Sequence, residues 1–288
     1  MLFGAGIVQG IVLGIILALV TSGMTLIYRV TGIINFAHGS LLAVGMYLAY
    51  DLQRYWAVDP LVSSLAIAPL MALTGWALFQ GLIRPIRRQH HLLAVQILLG
   101  LSFIIEAVLL MRYGADMRSA GNVFSGRFVT TLGVGIELTR IVAFVISLLG
   151  LSALGIALKR SDWGRRLRAT AADELAAYLV GISVIRVEAW TWGIGVGILG
   201  LVGPVLADVF KMTPDMGLRY TIVALVVVII GGGRTMAGTV IGGLVVGVSE
   251  TLGLLYLPGS YGGLMPYALL AAVLLVNPRA MLAMVRGR

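Results

Sequence analysis

Eight long apolar stretches, separated by short polar segments, leave this chain few ways to fold in water. They cover residues 6–28, 60–83, 92–111, 141–158, 189–207, 220–230, 240–256 and 264–276, and a ninth, shorter stretch covers 38–50. A helix needs about 20 apolar residues to cross a bilayer, and most of these runs approach that length. Composition agrees: 59% of the 288 residues are hydrophobic and 11% are charged. A mean hydropathy of +1.01 could be kept in water only by exposing apolar patches far larger than soluble proteins carry. The expected fold is an all-α, polytopic transmembrane helix bundle of about 8–9 spans, with a broken or short helix near residues 31–50. The run at 220–230 is short unless Gly231–Gly233 continue it.

The net charge of +9 comes from basic residues in the segments between runs. Excess Lys and Arg mark cytoplasmic loops, so residues 84–91, 159–168 and the tail from Arg279 to Arg288 are placed inside. Counting residues 38–50 as a span gives nine crossings, an external N-terminus and an internal C-terminus. If that run is re-entrant instead, the N-terminus moves to the other side. Membrane topology accounts for the charge, so nucleic acid is not an expected partner and membrane lipid is. The first residues carry no basic n-region, so the first run is expected to be retained as a span. The chain has no cysteine, which excludes disulfides and thiolate sites. Residues 1–288 are expected to form one transmembrane domain, with 159–188 as its long cytoplasmic loop. No Gly-rich loop ends in Gly-Lys-Ser/Thr, so ATP binding through a P-loop is not expected of this chain.

Four features carry functional information. The first is a polar, glycine-flanked break holding Gly32, Asn35, Phe36, His38, Gly39 and Ser40. Irregular backbone at membrane depth survives only where it is buried or lines a wet cavity, and transporters use such breaks to offer backbone groups to solute. The same residues also fit a cytoplasmic turn with Asn35 as a helix cap, and both readings stand. The second is a short helix in the cytoplasmic loop. Ala172, Leu175, Ala176 and Leu179 recur at i, i+3, i+4 and i+7, forming one apolar face. Asp173 and Glu174 stand near its start, where carboxylates favour the helix dipole, and Gly181 suits its end. Such a helix either docks in a partner's groove or lies on the membrane with Arg165, Arg166 and Arg168 at lipid phosphates.

The third feature is glycine spacing: Gly193 with Gly197, Gly238 with Gly242, and Gly243 with Gly247. Four-residue glycine spacing permits close helix packing, and packing is favoured here over solute contact. The fourth is a pair of acids inside apolar runs, Glu106 and Glu250. Charges there are costly unless they face protein or water. Each lines a pathway, serves as a protonated or hydrogen-bonded packing residue, or lies close to an interface.

Gly32-Ile-Ile-Asn-Phe-Ala-His-Gly39, following Met24-Thr-Leu-Ile-Tyr28, resembles a stretch of the branched-chain amino acid importer permeases, the LivH-type subunits of bacterial ABC importers. Urea and amide permeases are close relatives. Gly100-Leu-Ser102, Gly231-Gly-Gly-Arg-Thr-Met-Ala-Gly238, Ile241-Gly-Gly243 and Glu250 extend the resemblance over most of the chain. Ser40 stands where the family usually has Glu, and Arg234-Thr235 where it often has Gly-Ser or Gly-Asn. The resemblance implies a non-enzymatic permease in the bacterial inner membrane, moving branched-chain amino acids or similar small polar solutes. It also implies a second related permease, two ATP-binding cassette ATPases, a periplasmic solute-binding protein, and a coupling role for residues 172–181. ATP would be used by those ATPases and no cofactor held by this chain. The residues alone also admit an ion-gradient-driven transporter using Glu106, Glu250 and Asn35. A membrane-embedded enzyme has little support, since the three His are scattered and no catalytic constellation stands out.

Overall fold

A computed structural model of the chain describes residues 2–87, 89, 91–131 and 134–276. Arg88, His90 and the tail from Arg279 to Arg288, used above to assign sides, lie outside the described residues. The helices are α1 (Leu2–Thr31), α2 (His38–Trp56), α3 (Pro60–Leu78), α4 (His91–Tyr113), α5 (Leu138–Arg160), α6 (Asp162–Ala172), α7 (Glu174–Leu179), α8 (Val184–Val209), α9 (Met216–Ile230), α10 (Met236–Tyr256) and α11 (Met265–Val276). A π-helical turn, Phe79–Ile83, and a 3-10 turn, Arg84–Ile86, prolong α3.

Six helical segments are long and apolar enough to cross a bilayer: Phe3–Thr31, Pro60–Ile86, Leu92–Tyr113, Leu138–Arg160, Val184–Val209 and Met236–Tyr256. Helices α9 and α11 are apolar but shorter. The chain is therefore a multi-pass membrane protein with an all-α bundle. Helix α2 runs to Trp56, beyond the apolar stretch that first marked it, and carries Asp51 and Arg54 near its end. Its lower hydropathy has a physical cause. It lies against α3, α4, α8 and α9, and Met46, Tyr47 and Ala49 are sealed from the surface. A helix surrounded by protein need not be as apolar as one bathed in lipid. Gly231–Gly233 do not prolong α9. Gly232 and Gly233 have φ of +74° and +67° and turn the chain into α10, where the Thr235 side chain caps the first turn by accepting from Gly238 N–H at 3.0 Å.

Two antiparallel pairs frame the bundle, α1 with α10 and α3 with α8. In hydrocarbon there is little hydrophobic drive between helices, so close backbone packing sets which pairs form. A Cβ added at Gly243 would stand 2.6 Å from Gly14 O, and one at Gly197 would stand 2.9 Å from Ala72 Cβ. Gly193 faces Ala72 O, Gly247 the Gly14 backbone, Gly242 Val227 O and Gly238 Gly231 O. The partner helices thus lie within this chain.

A feature not anticipated from sequence is an antiparallel hairpin of β1 (Phe128–Thr131) and β2 (Val134–Glu137) between α4 and α5. The segment around it is fastened to the end of α8 and to the loop that follows. Arg118 and Met212 exchange backbone hydrogen bonds of 2.9 and 2.8 Å, and Ala120 N–H donates to Ala207 O at 3.0 Å. Ser125 and Thr139 hydroxyls both donate to Asp208, at 2.6 and 2.8 Å.

Candidate translocation site and cytoplasmic docking helix

The polar break is a re-entrant segment. Gly32, with φ +70°, turns the chain at the end of α1, and the Thr31 hydroxyl donates to Ile27 O while accepting from Ile33 N–H. The chain then runs back along α1. His38, the first residue of α2, places its imidazole Nε2 2.9 Å from Val20 O. Val20 lies about three turns, roughly 16 Å, before the end of α1. Ser40 Oγ lies 2.7 Å from Ser102 Oγ, halfway along α4. The N-terminus of α2 is therefore at mid-bundle depth, and the break re-enters while the chain still emerges on the far side through α2.

Helix starts leave N–H groups without intrahelical partners, and here no bulk water is at hand. Asn35 Oδ1 accepts from Ala37 N–H at 3.1 Å. Thr221 Oγ1 of α9 accepts from Gly39 N–H at 2.8 Å. It also faces the carbonyls of Phe36 and Gly217, at 3.2 and 3.1 Å. Gly39 and Gly217 admit this approach: a Cβ on Gly39 would meet Gly217 O, and one on Gly217 would meet Ser40 Oγ. Two helix N-termini, of α2 and of α9, thus converge inside the bundle. Asn35 and His38 are fully buried. Since Val20 O can only accept, Nε2 carries the proton, leaving His38 Nδ1 as an acceptor. That nitrogen and Asn35 Nδ2 have no hydrogen-bond partner among the described residues.

Above this node lies a cavity of about 560 Å³, within the range of small-molecule sites. One wall is aliphatic, with Val12, Leu13, Ile16 and Leu17 of α1 and Val223 of α9. Around it stand Arg140, Lys211, Asp215, Arg219 and Glu250, with Tyr220 and Thr251. Arg219 donates to Glu250 Oε1 at 3.4 Å. By the charge assignment of sides this is the external half, next to the start of α1 and the end of α10. Met117 and Ile136, from the segment fastened over this end, also line it.

Of the residues singled out from sequence, Glu250 lines the cavity. Asn35, His38, Gly39 and Ser40 are sealed in the node beneath it, Phe36 is half-buried, and Gly32 is exposed at the turn. Glu106 is half-exposed on α4, one turn beyond Ser102, and does not line the cavity. Sequence reasoning missed Arg140, Lys211, Asp215, Arg219 and Thr221. Lys211, Asp215 and Arg219 recur every four residues ahead of an apolar run too short to span, which was the available signal.

The cytoplasmic helix differs from the continuous one expected. Asp173 is extended, with φ −155° and ψ 114°, and divides α6 from α7. Its side chain accepts from Ala176 N–H at 3.0 Å, so it caps α7 rather than sitting inside a helix. Ala172 consequently ends α6 and does not share a helical face with Leu175, Ala176 and Leu179. Gly181, with φ +84°, closes α7, and Gly181 N–H donates to Tyr178 O at 3.0 Å. Glu174 begins α7 and is held by Arg87 at 2.6 Å, and the same guanidinium nitrogen reaches Glu188 of α8 at 2.9 Å. Ala177 alone of α7 is buried, while its large apolar side chains point away from the bundle: Leu175, Tyr178 and Leu179 are 68%, 69% and 74% exposed, and Val180, just past the helix, is 76% exposed.

Residues 6–274 match the family model described as branched-chain amino acid transport system / permease component. The chain is 29% identical to the high-affinity branched-chain amino acid transport system permease protein LivH of Escherichia coli K12, covering 95% of this chain and 93% of that protein. It is 28% identical to the corresponding permease BraD of Pseudomonas aeruginosa, covering 96% and 94%. Identity is also 28% to a probable LivH permease of Methanocaldococcus jannaschii, over 90% and 86%. No solved structure matches. The match runs through the re-entrant break, the cavity walls and the α6–α7 loop alike, and the chain belongs to the family of permease components of branched-chain amino acid transport systems.

Proposed function

We propose that this chain is the permease subunit of an ATP-driven importer, carrying branched-chain amino acids or zwitterions of similar size across the bacterial inner membrane. The observation that carries this reading is the cavity, which sets both signs of charge against an aliphatic wall. Arg140, Lys211 and Arg219 offer donors to an α-carboxylate, and charge-assisted bonds of this kind are the strong ones. Asp215 and Glu250 offer acceptors to an ammonium group. Leu13, Ile16 and Val223 receive a branched aliphatic side chain.

The driving force enters through α7. Its exposed apolar side chains form the surface offered to an ATPase, in the helix-in-groove manner. Arg87 ties α7 to the end of α3 and the start of α8, and α8 packs on α1 and α2. A pull on α7 is thereby passed to the node where α2 and α9 begin. Two ATPases, a second related permease and a periplasmic solute-binding protein complete the assembly, and ATP is held by the ATPases.

Leucine uptake by the assembled importer in proteoliposomes tests the cavity. Glu250→Gln is expected to raise the KM for leucine about tenfold or more, as loss of a charged hydrogen-bond partner does, with subunit assembly retained. Unchanged leucine KM in a fully assembled Glu250→Gln importer contradicts the assignment.

A further inference from the structure

A second cleft, of about 470 Å³, opens between α6 and α8 at the cytoplasmic end of the bundle. We propose that it binds the headgroup of an anionic phospholipid. This inference rests on the chain being a membrane protein and not on its proposed substrate.

Along α8, Arg186, Trp190 and Ile194 line the cleft at four-residue steps. Each step rises about 6 Å, so they form a ladder from the cytoplasm into the bilayer. The order is guanidinium, indole, aliphatic chain. That order matches the phosphate layer, the interface and the hydrocarbon, where Arg, Trp and apolar residues respectively settle. Trp190 is 59% exposed at the interfacial step of this ladder. Facing this ladder, α6 supplies Arg166 and Trp163, and Trp163 Nε1 is buried with no partner among the described residues.

The electrostatics favour a phosphate. No carboxylate forms an ion pair with Arg166 or Arg186 among the described residues, whereas Asp162, at the rim, is paired with Arg165. Ser183 occupies the N-cap of α8 without a side-chain cap bond, leaving its hydroxyl and the positive end of a long helix facing the same opening. Two guanidiniums fit phosphate oxygens through planar, directional donors. The negative surface potential of the cytoplasmic leaflet attracts basic residues placed at this depth. A lipid seated here would hold α6 at the membrane and so fix the base from which α7 projects.

The test uses the purified full chain in detergent with equal phosphatidylglycerol and phosphatidylcholine, read by native mass spectrometry. The wild type is expected to retain phosphatidylglycerol preferentially, and Arg166→Gln with Arg186→Gln to reduce that preference about tenfold. Trp190→Leu, which leaves the charges in place, is expected to shorten retention of phosphatidylglycerol. It keeps the proposal open to test should the double variant aggregate. Equal retention of the two lipids by the wild type, or an unaltered preference in the double variant, overturns the proposal. So does thermal stabilisation by glycerol 3-phosphate with the same arginine dependence, which would assign the cleft to a soluble phosphate.

Discussion

Thr221 serves two helices at once. Its hydroxyl accepts from the first turn of α2 at Gly39 and lies within reach of the Phe36 and Gly217 carbonyls. Replacing it by Val keeps the shape and removes the partner, so Gly39 N–H is left unsatisfied in a buried place. Such a loss costs about 1–3 kcal/mol, and Thr221→Val should lower the thermal unfolding midpoint by several degrees in detergent. Thr221→Ser, which retains the hydroxyl, should restore most of it. Equal destabilisation by Val and Ser would locate the cost in packing instead. Nothing in the sequence marked Thr221, since a lone threonine in an apolar run is common and its partner lies 182 residues away. Asn35 and His38 were legible because their flanking glycines interrupt an apolar pattern. Their burial was not, because a polar break looks the same in sequence whether it faces water or protein.

At the scale of the element, α7 joins exposed apolar residues to a charged anchor. The i, i+3, i+4, i+7 pattern ran one helical face through Asp173, which caps α7 and separates it from α6. Periodicity records spacing and is blind to a single extended residue. The short side chain of Asp173 could serve either inside the first turn or as a cap, and only the backbone decides. Ala176 lies on the exposed surface of α7, one residue from the face formed by Leu175, Tyr178 and Leu179. Ala176→Arg should therefore reduce co-purification of the ATPase at least tenfold while leaving membrane insertion and detergent stability unchanged. Co-purification at the wild-type level would remove α7 from the coupling role. Helices α2 and α9 show why the 8–9 spans were harder to count than the six long ones. Hydropathy registers contact with lipid, and α2 is largely enclosed by protein. Helix α9 is short because it starts at mid-depth against α2.

For the whole molecule, the all-α bundle was legible because alternating apolar runs and basic loops have few other physical explanations. The two antiparallel glycine seams were anticipated in kind, though their partners could not be named before α1 and α10, and α3 and α8, were seen together. The cavity was not legible. Its charged residues come from α5, the loop after α8, α9 and α10, and in the sequence they merge with ordinary external charges. The molecule thus sets an amphipathic cavity on the outer side, a sealed node at mid-depth and the exposed helix α7, proposed to dock an ATPase, on the inner side. In the proposed mechanism the energy comes from a partner acting on α7. The direct measurement is leucine accumulation in proteoliposomes holding the complete importer, with and without a hydrolysis-competent ATPase. An ATPase-driven mechanism gives uphill uptake with the active ATPase, unaffected by a protonophore, and none with the inactive one. Uphill uptake sustained by an ion gradient with the ATPase inactive or absent would contradict it.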